Sequence, residues 1–405
     1  MFNQASIAWM LFSAALVMFM TPGLAFFYGG LVGKKNVVAI MTQSFISLGI
    51  TIIMWYSIGF SLSFSGSGPI IGNLNNAFLK GITLQTAFTG NNQISLLVFF
   101  IYQAMFAVIT PALITGGFAN RMSFKAYIWF LILWQLFIYY PFAHMIWGNG
   151  ILYQWGVLDF AGGIVVHALA GFSALATVFY IGKRKVIDNK EPSNLAYVAL
   201  GTAMLWFGWY GFNAGSALQV NSITVIAFIN TTLGAAFAAT TWMIFDVMIN
   251  EKPKLVGFLT GAVVGLATIT PAAGYVSPGA AAIIGIVAAI VCYSAISFIN
   301  KKNLDDTLAV WGVHGIGGVT GTLMLGLFAS KSINPQGVNG LLYGNAGFFI
   351  KELVAVAIAT VYAFIVTYLL LMIINIFAKV RVSEEFEKVG LDESIHGEKA
   401  FNSFE

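Results

Sequence analysis

The chain has 405 residues, of which 59% are apolar and only 8% charged, and its formal net charge is +4. Soluble domains carry roughly a quarter charged residues, so the composition excludes a soluble globular domain and requires an integral membrane protein. The one cysteine, Cys292, excludes a disulfide framework and a thiolate metal cluster. Runs of about 20 apolar residues read as membrane-spanning helices, and eleven follow in chain order: 5–29, 36–64, 93–119, 124–150, 162–182, 194–214, 222–249, 255–272, 279–299, 308–330 and 346–378. No Lys or Arg precedes Lys34, so the first run lacks the basic start of a secretory signal and reads as a retained span. The 43 glycines suit helices packed closely through small residues, and the roughly 10-residue alternating strands of a barrel do not occur.

Sixteen of the nineteen basic residues fall on one side of this arrangement: Lys34 and Lys35, Arg121 and Lys125, the stretch Lys183 to Lys190, Lys252 and Lys254, Lys301 and Lys302, and the tail from Lys379. Lys80, Lys331 and Lys351 fall on the other. Cytoplasmic loops collect Lys and Arg, so the N-terminus is expected outside and the C-terminus in the cytoplasm. The positive charge then reflects topology, not nucleic-acid binding. Residues 1–378 form the membrane domain. Residues 379–405, with four basic and seven acidic side chains, form a solvated cytoplasmic tail. Residues 65–92 make the longest external loop.

Two short patterns recur. His167 and His314 each open a His-x-x-x-Gly run, HALAG and HGIGG, in spans five and ten; spans three and eight share Thr-Pro-Ala at Thr110 and Thr270. Five spans followed by five more start from opposite sides of the membrane, which predicts an inverted repeat with span eleven outside it. Ionisable groups at membrane depth are costly and usually face a partner or a pathway. Each histidine alone also fits a hydrogen-bonded core residue; equivalent positions in the repeat favour a pair meeting at the repeat interface. A bis-histidine haem site is the competing reading, and a dinuclear metal site would need more acid than Asp159 supplies.

Asp159 stands before the fifth span, where it can cap the helix start or draw in a cation. Trp147, Phe212 and Ser216 lie toward the outer ends of their spans, and Phe106 of the third span can join them. Interfacial aromatics are commonly belt anchors and Phe106 is one of 36 phenylalanines, but a cage of such faces also holds a cation for about 0.5–2 kcal/mol. His144 reads as an interfacial, hydrogen-bonded histidine. Pro22, Pro111 and Pro271 mark kinks or helix ends.

The runs DFAGGIVVHALAG, AHMIWG, WFGWYGFNAGS, ITPAAGY and WGVHGIGG, with GLDESIHGEKAF in the tail, closely resemble the Amt/Mep/Rh ammonium transporter family on its prokaryotic Amt side. The resemblance covers essentially the whole chain. It implies a homotrimer in the inner (plasma) membrane, each protomer an eleven-helix bundle with its own pore, with no enzymatic activity and no cofactor or metal. It implies that Trp147, Phe106 and Ser216 recruit ammonium from outside, Phe106 and Phe212 gate the pore, and His167 and His314 line it. Asp159 would hold the recruitment site in shape. In the tail, Gly390, Leu391 and Asp392, then His396, Gly397 and Glu398, match the family's pattern for docking on the neighbouring protomer and for a PII-type regulator. The loop from Lys183 to Glu191 would share that surface. An ammonium sensor on the same fold is the alternative, disfavoured because only 27 residues follow span eleven. Trp147 distinguishes the chain from Rh-type gas channels, which tend to lose it.

Overall fold

The computed structural model describes residues 2–186 and 192–401, so Lys190 and Glu191 of the basic loop and the last four tail residues lie outside the described residues. The chain is helical throughout the bundle. We label the helices α1 (Gln4–Leu31), α2 (Lys34–Phe64), α3 (Leu96–Phe118), α4 (Phe124–Trp155), α5 (Gly163–Ile181), α6 (Leu195–Gly215), α7 (Ser222–Ile249), α8 (Leu255–Ile269) and α9 (Pro278–Lys301). Then come α10, in which the turn Trp311–Gly315 runs into Ile316–Phe328, and α11 (Ala346–Phe377). Among the described residues, nine of these are long and apolar enough to cross a membrane; α8 is apolar but shorter. Pro22 and Pro111 lie within α1 and α3, whereas Pro271 follows the end of α8.

Local chemistry sets the helix starts. Asn3, Ser95, Ser123, Asn194, Ser277 and Asn345 each accept a backbone N–H of the helix they precede, and Asn221 forms a capping box with Thr224. Such caps satisfy amides that the first turn leaves unpaired. The outward faces carry exposed apolar side chains such as Ile53, Leu369 and Ile376, as lipid contact requires. Inside, α1 and α6 pack lengthwise through small residues; a Cβ on Gly201 would stand 2.3 Å from the Phe27 nitrogen.

The tail folds back onto its own chain, with α12 (Glu384–Val389) and α13 (Asp392–His396). Arg381 donates to the Ile181 carbonyl and pairs with Glu387 at 2.5 Å, and Glu387 accepts the Lys185 amide at 2.8 Å. Asp392 accepts the Ala39 amide at 2.8 Å, while the Leu391 amide donates to Asn36. Composition marks this segment as solvated, yet Glu387, Leu391 and Asp392 are buried; each of the two acids gives one oxygen to a backbone amide, Glu387 turns its other to Arg381, and Asp392 Oδ2 is buried without a partner among the described residues. Gly390 and Gly397 adopt φ of 102° and 68°, which explains glycine at both places. His396 packs edge-on against Phe124 at 5.3 Å, and the Glu398 amide closes the turn on the Asp392 carbonyl.

Beneath the tail, the fully buried Arg121 reaches the carbonyls of Gly117, Gly182 and Asp305 and forms an ion pair with Asp305 at 3.1 Å. Burial pulls the Arg121 guanidinium down to about 10, opposed by the Asp305 charge. Burial also works against ionisation of Asp305, but the Arg184 hydrogen bond and the Arg121 charge outweigh it and hold the carboxyl below its ordinary range. We call this side of the bundle the tail face and the opposite side the far face.

Candidate functional site

The two histidine helices start deep in the bundle, each with a wide π turn: Gly163–Ala168 opens α5 and Trp311–Gly315 opens α10. Turns of this kind cluster at functional sites. A helix start in an apolar interior exposes amides that water cannot reach, and here two acids cover them. Asp159 accepts the amides of Gly162, Gly163, Ile164 and Val165 at 2.8, 2.7, 2.8 and 3.1 Å. Asp306 accepts those of Val310 and Trp311 at 3.0 and 2.8 Å. Each acid lies eight residues before its histidine, a shared spacing that the sequence reading missed for Asp306 because it sits in the charged run KKNLDD.

His167 and His314 are both buried and lie side by side, their Nδ1 atoms 3.2 Å apart and their rings within 16° of parallel. Two neutral imidazoles can make that bond only if one donates and the other accepts, so their tautomers are linked. When His167 donates through Nδ1, its Nε2 is bare and His314 carries a hydrogen on Nε2; exchange reverses both. His167 Nε2 is buried without a protein partner. Direct contact of the rings leaves no gap for the macrocycle of a bis-histidine haem.

The glycine of each His-x-x-x-Gly run makes the pairing possible. A Cβ on Gly171 would stand 2.0 Å from the Gly315 nitrogen, and one on Gly318 would stand 2.5 Å from the Gly163 oxygen and 3.0 Å from the His167 Cβ. Each helix thus crosses the other's histidine turn at its own glycine. Gly171→Ala is expected to drive α5 and α10 apart, abolishing transport and sharply reducing monodisperse protein in size-exclusion chromatography. Normal yield with normal transport would contradict this account.

The pair sits in a narrow, mostly apolar cavity of about 10 Å³, room for about one water, lined by Met20, Leu24, Ile109, Leu113, Trp209 and Phe212, among others. Trp209 lies nearly parallel to His167 at 5.5 Å and donates its indole hydrogen to Thr270. On the tail face, His314 also borders a cavity of about 710 Å³ lined by Tyr28, Asp246, Lys254 and Asn300. A far-face cavity of about 380 Å³ includes Phe106, Trp147, Asp159 and Ser216 in its walls. Between it and the histidines, Phe106 and Phe212 stack at 4.2 Å and 23°.

Trp147 stands edge-on to Phe106 at 6.0 Å and 88°, and its indole donates to the Asp159 carbonyl at 2.8 Å. The Ser216 hydroxyl donates to the Phe212 carbonyl at 2.9 Å and lies 3.1 Å from the Tyr102 hydroxyl, leaving oxygen lone pairs for a cationic donor. Trp147, Phe106, Ser216, Asp159 and Phe212 thus lie along one line from the far-face cavity to the two histidines, whereas the tail residues Gly390 to Asp392 and His396 to Glu398 sit on the opposite face. Gln103 also borders that cavity, with its carbonyl oxygen buried and unpartnered; one amide in an apolar helix gave no signal. His144 is fully buried and hydrogen-bonded, with ring nitrogens 3.0 Å from the Ser63 carbonyl and 2.7 Å from that of Gly68. It ties α4 to the end of α2 and to the loop after it, and stands outside the line.

Polar cavities on two faces of a multi-pass helical bundle, joined through an aromatic stack and buried imidazoles, define a membrane transport protein. The chain belongs to the Ammonium Transporter Family, whose profile matches residues 8–401, and is an ammonium transporter. It is 45% identical to the ammonium transporter of Bacillus subtilis, covering 97% of each chain, and 44% identical to the Archaeoglobus fulgidus ammonium transporter Amt1, covering 98% and 100%. Its fold matches the crystal structure of Candida albicans Mep2 with a TM-score of 0.89 at 33% identity, over 95% of this chain and 87% of that one. A sensor Amt protein matches with the same TM-score at 29% identity, over 96% and 98%.

Proposed function

We propose that the chain crosses the inner (plasma) membrane eleven times, as an inverted repeat of five and five spans plus α11, with the far face outside and the tail in the cytoplasm. Ammonium is recruited between Trp147, Phe106 and the Ser216 hydroxyl. It gives up a proton to water of the far-face cavity near the Phe106–Phe212 stack, and ammonia passes His167 and His314 into the cytoplasm; the proton either follows separately, which gives a current, or stays outside. The observation that carries this reading is the stacked Phe106–Phe212 pair between an open polar cavity and the two imidazoles. An intact ion in this apolar cavity faces a desolvation penalty of several kcal/mol, which ammonia escapes. Potassium is close to ammonium in size but has no proton to release, so the route also separates the two.

Three copies assemble as a trimer, and the docked tail offers a cytoplasmic surface for a PII-type regulator. Purified protein in liposomes on a solid-supported membrane tests the transport step, with ammonium and potassium pulses and internal pH followed together. Current or alkalinisation with ammonium alone is the expected result. Silence in both signals favours a sensor, a second reading prompted by the likeness to the sensor Amt protein. Trp147→Leu is expected to raise the half-saturating ammonium concentration about fivefold or more, the equivalent of ~1–2 kcal/mol for a desolvated cation–π contact, with little change in yield. An unchanged value would remove Trp147 from recruitment.

A further inference from the structure

We propose that Glu352 of α11 is a positioning residue for ammonium recruitment, fastening the strap between Gly156 and Gly162 that holds Trp147. This rests on the recruitment reading above. Glu352 is completely buried in an apolar helix, where an acid needs a specific use. Its Oε1 accepts the Leu158 amide at 2.7 Å. The next residue, Asp159, receives the Trp147 indole on its carbonyl and caps α5 with its carboxylate. Both ends of the strap take left-handed backbone, φ 91° at Gly156 and 115° at Gly162, so no regular helix holds it in place.

Two of its other amides are anchored by backbone carbonyls, Val157 to Leu152 and Phe160 to Pro271. Leu158 has the Glu352 side chain instead. Losing that acceptor frees the strap at the residue before Asp159, and the Trp147 indole shifts with it. Glu352 Oε2 is buried without a partner, and no ion pair to Glu352 occurs among the described residues. The site thus uses one acceptor oxygen, not a negative charge, and an amide side chain supplies the same oxygen.

The experiment compares Glu352→Gln, Glu352→Ala and Glu352→Met in liposome currents over a range of ammonium concentrations, with size-exclusion profiles and Trp147→Leu in parallel. Ala and Met are expected to raise the half-saturating concentration about fivefold, the scale set by one buried hydrogen bond, with the maximal current changing less than twofold. Gln is expected to restore the wild-type value. Unchanged half-saturation in Ala and Met overturns the proposal, as does a Gln variant as impaired as Ala, which would make the charge the active feature. Failure of both Ala and Met to give monodisperse protein also overturns it, because the role would then lie in assembly. If Trp147→Leu shifts half-saturation and Glu352→Met does not, only the Glu352 proposal falls. If Trp147→Leu has no effect, the recruitment reading falls first.

Discussion

His167→Ala and His314→Ala are expected to yield folded, monodisperse protein that no longer discriminates ammonium from potassium. Each imidazole fills part of a narrow apolar cavity and bonds chiefly to the other, so its loss breaks no helix cap. It does open space beside a ring whose Nδ1 has lost its partner. Water enters a cavity that is roomy and offers polar atoms, and a hydrated route lowers the barrier for any small cation. The desolvation penalty is several kcal/mol, and each 1.4 kcal/mol relieved is about tenfold, so potassium currents should rise at least about tenfold. The linked Nδ1–Nδ1 bond makes the two substitutions similar in direction, because either one ends the exchange of tautomers. Currents after alternating ammonium and potassium pulses decide the matter. Wild-type ammonium signals with no potassium current in both variants would remove the histidine pair from selectivity.

The bundle was readable because membrane burial imposes long apolar runs that local sequence cannot disguise. The run 346–378 became Ala346–Phe377, and 222–249 became Ser222–Ile249. Differences arose where side chains, not apolarity, set the end. The run 255–272 stops at Ile269, where Thr270 and Pro271 turn the chain. The expected start at 308 moves to Trp311, because Asp306 caps the amides that begin the turn there. The histidine pair was visible through its repeated glycine spacing, and that glycine proves to be the crossing point of the two helices. Glu352 gave no such signal, since its partner is a backbone amide 194 residues away. Partners of that kind carry no residue-type signature. The buried acids of the tail were hidden for the same reason: Glu387 and Asp392 look like solvated charges until the amides of Lys185 and Ala39 are brought to them.

Asp159→Ala is expected to cause the largest loss of stability among single substitutions at the site. Four buried amides lose their acceptors at once, and each unsatisfied donor costs about 1–3 kcal/mol. Asp159→Asn does not repair this, because its amide nitrogen would face two of the same N–H groups. Asp306 covers only two amides, at Val310 and Trp311, so Asp306→Asn should be the milder change. The expected order of thermal stability, followed by the loss of monodisperse protein on heating, is wild type, then Asp306→Asn, then Asp159→Asn, with Asp159→Ala the lowest. An electrostatic role for Asp159 predicts otherwise: Asp159→Asn would melt with the wild type while its half-saturating ammonium concentration rises. Asp159 also presents its carbonyl to Trp147, so a fall in stability should bring weaker recruitment with it. Weaker recruitment at unchanged stability would instead make the carboxylate an attractor of the cation and leave the helix start to be held by other means.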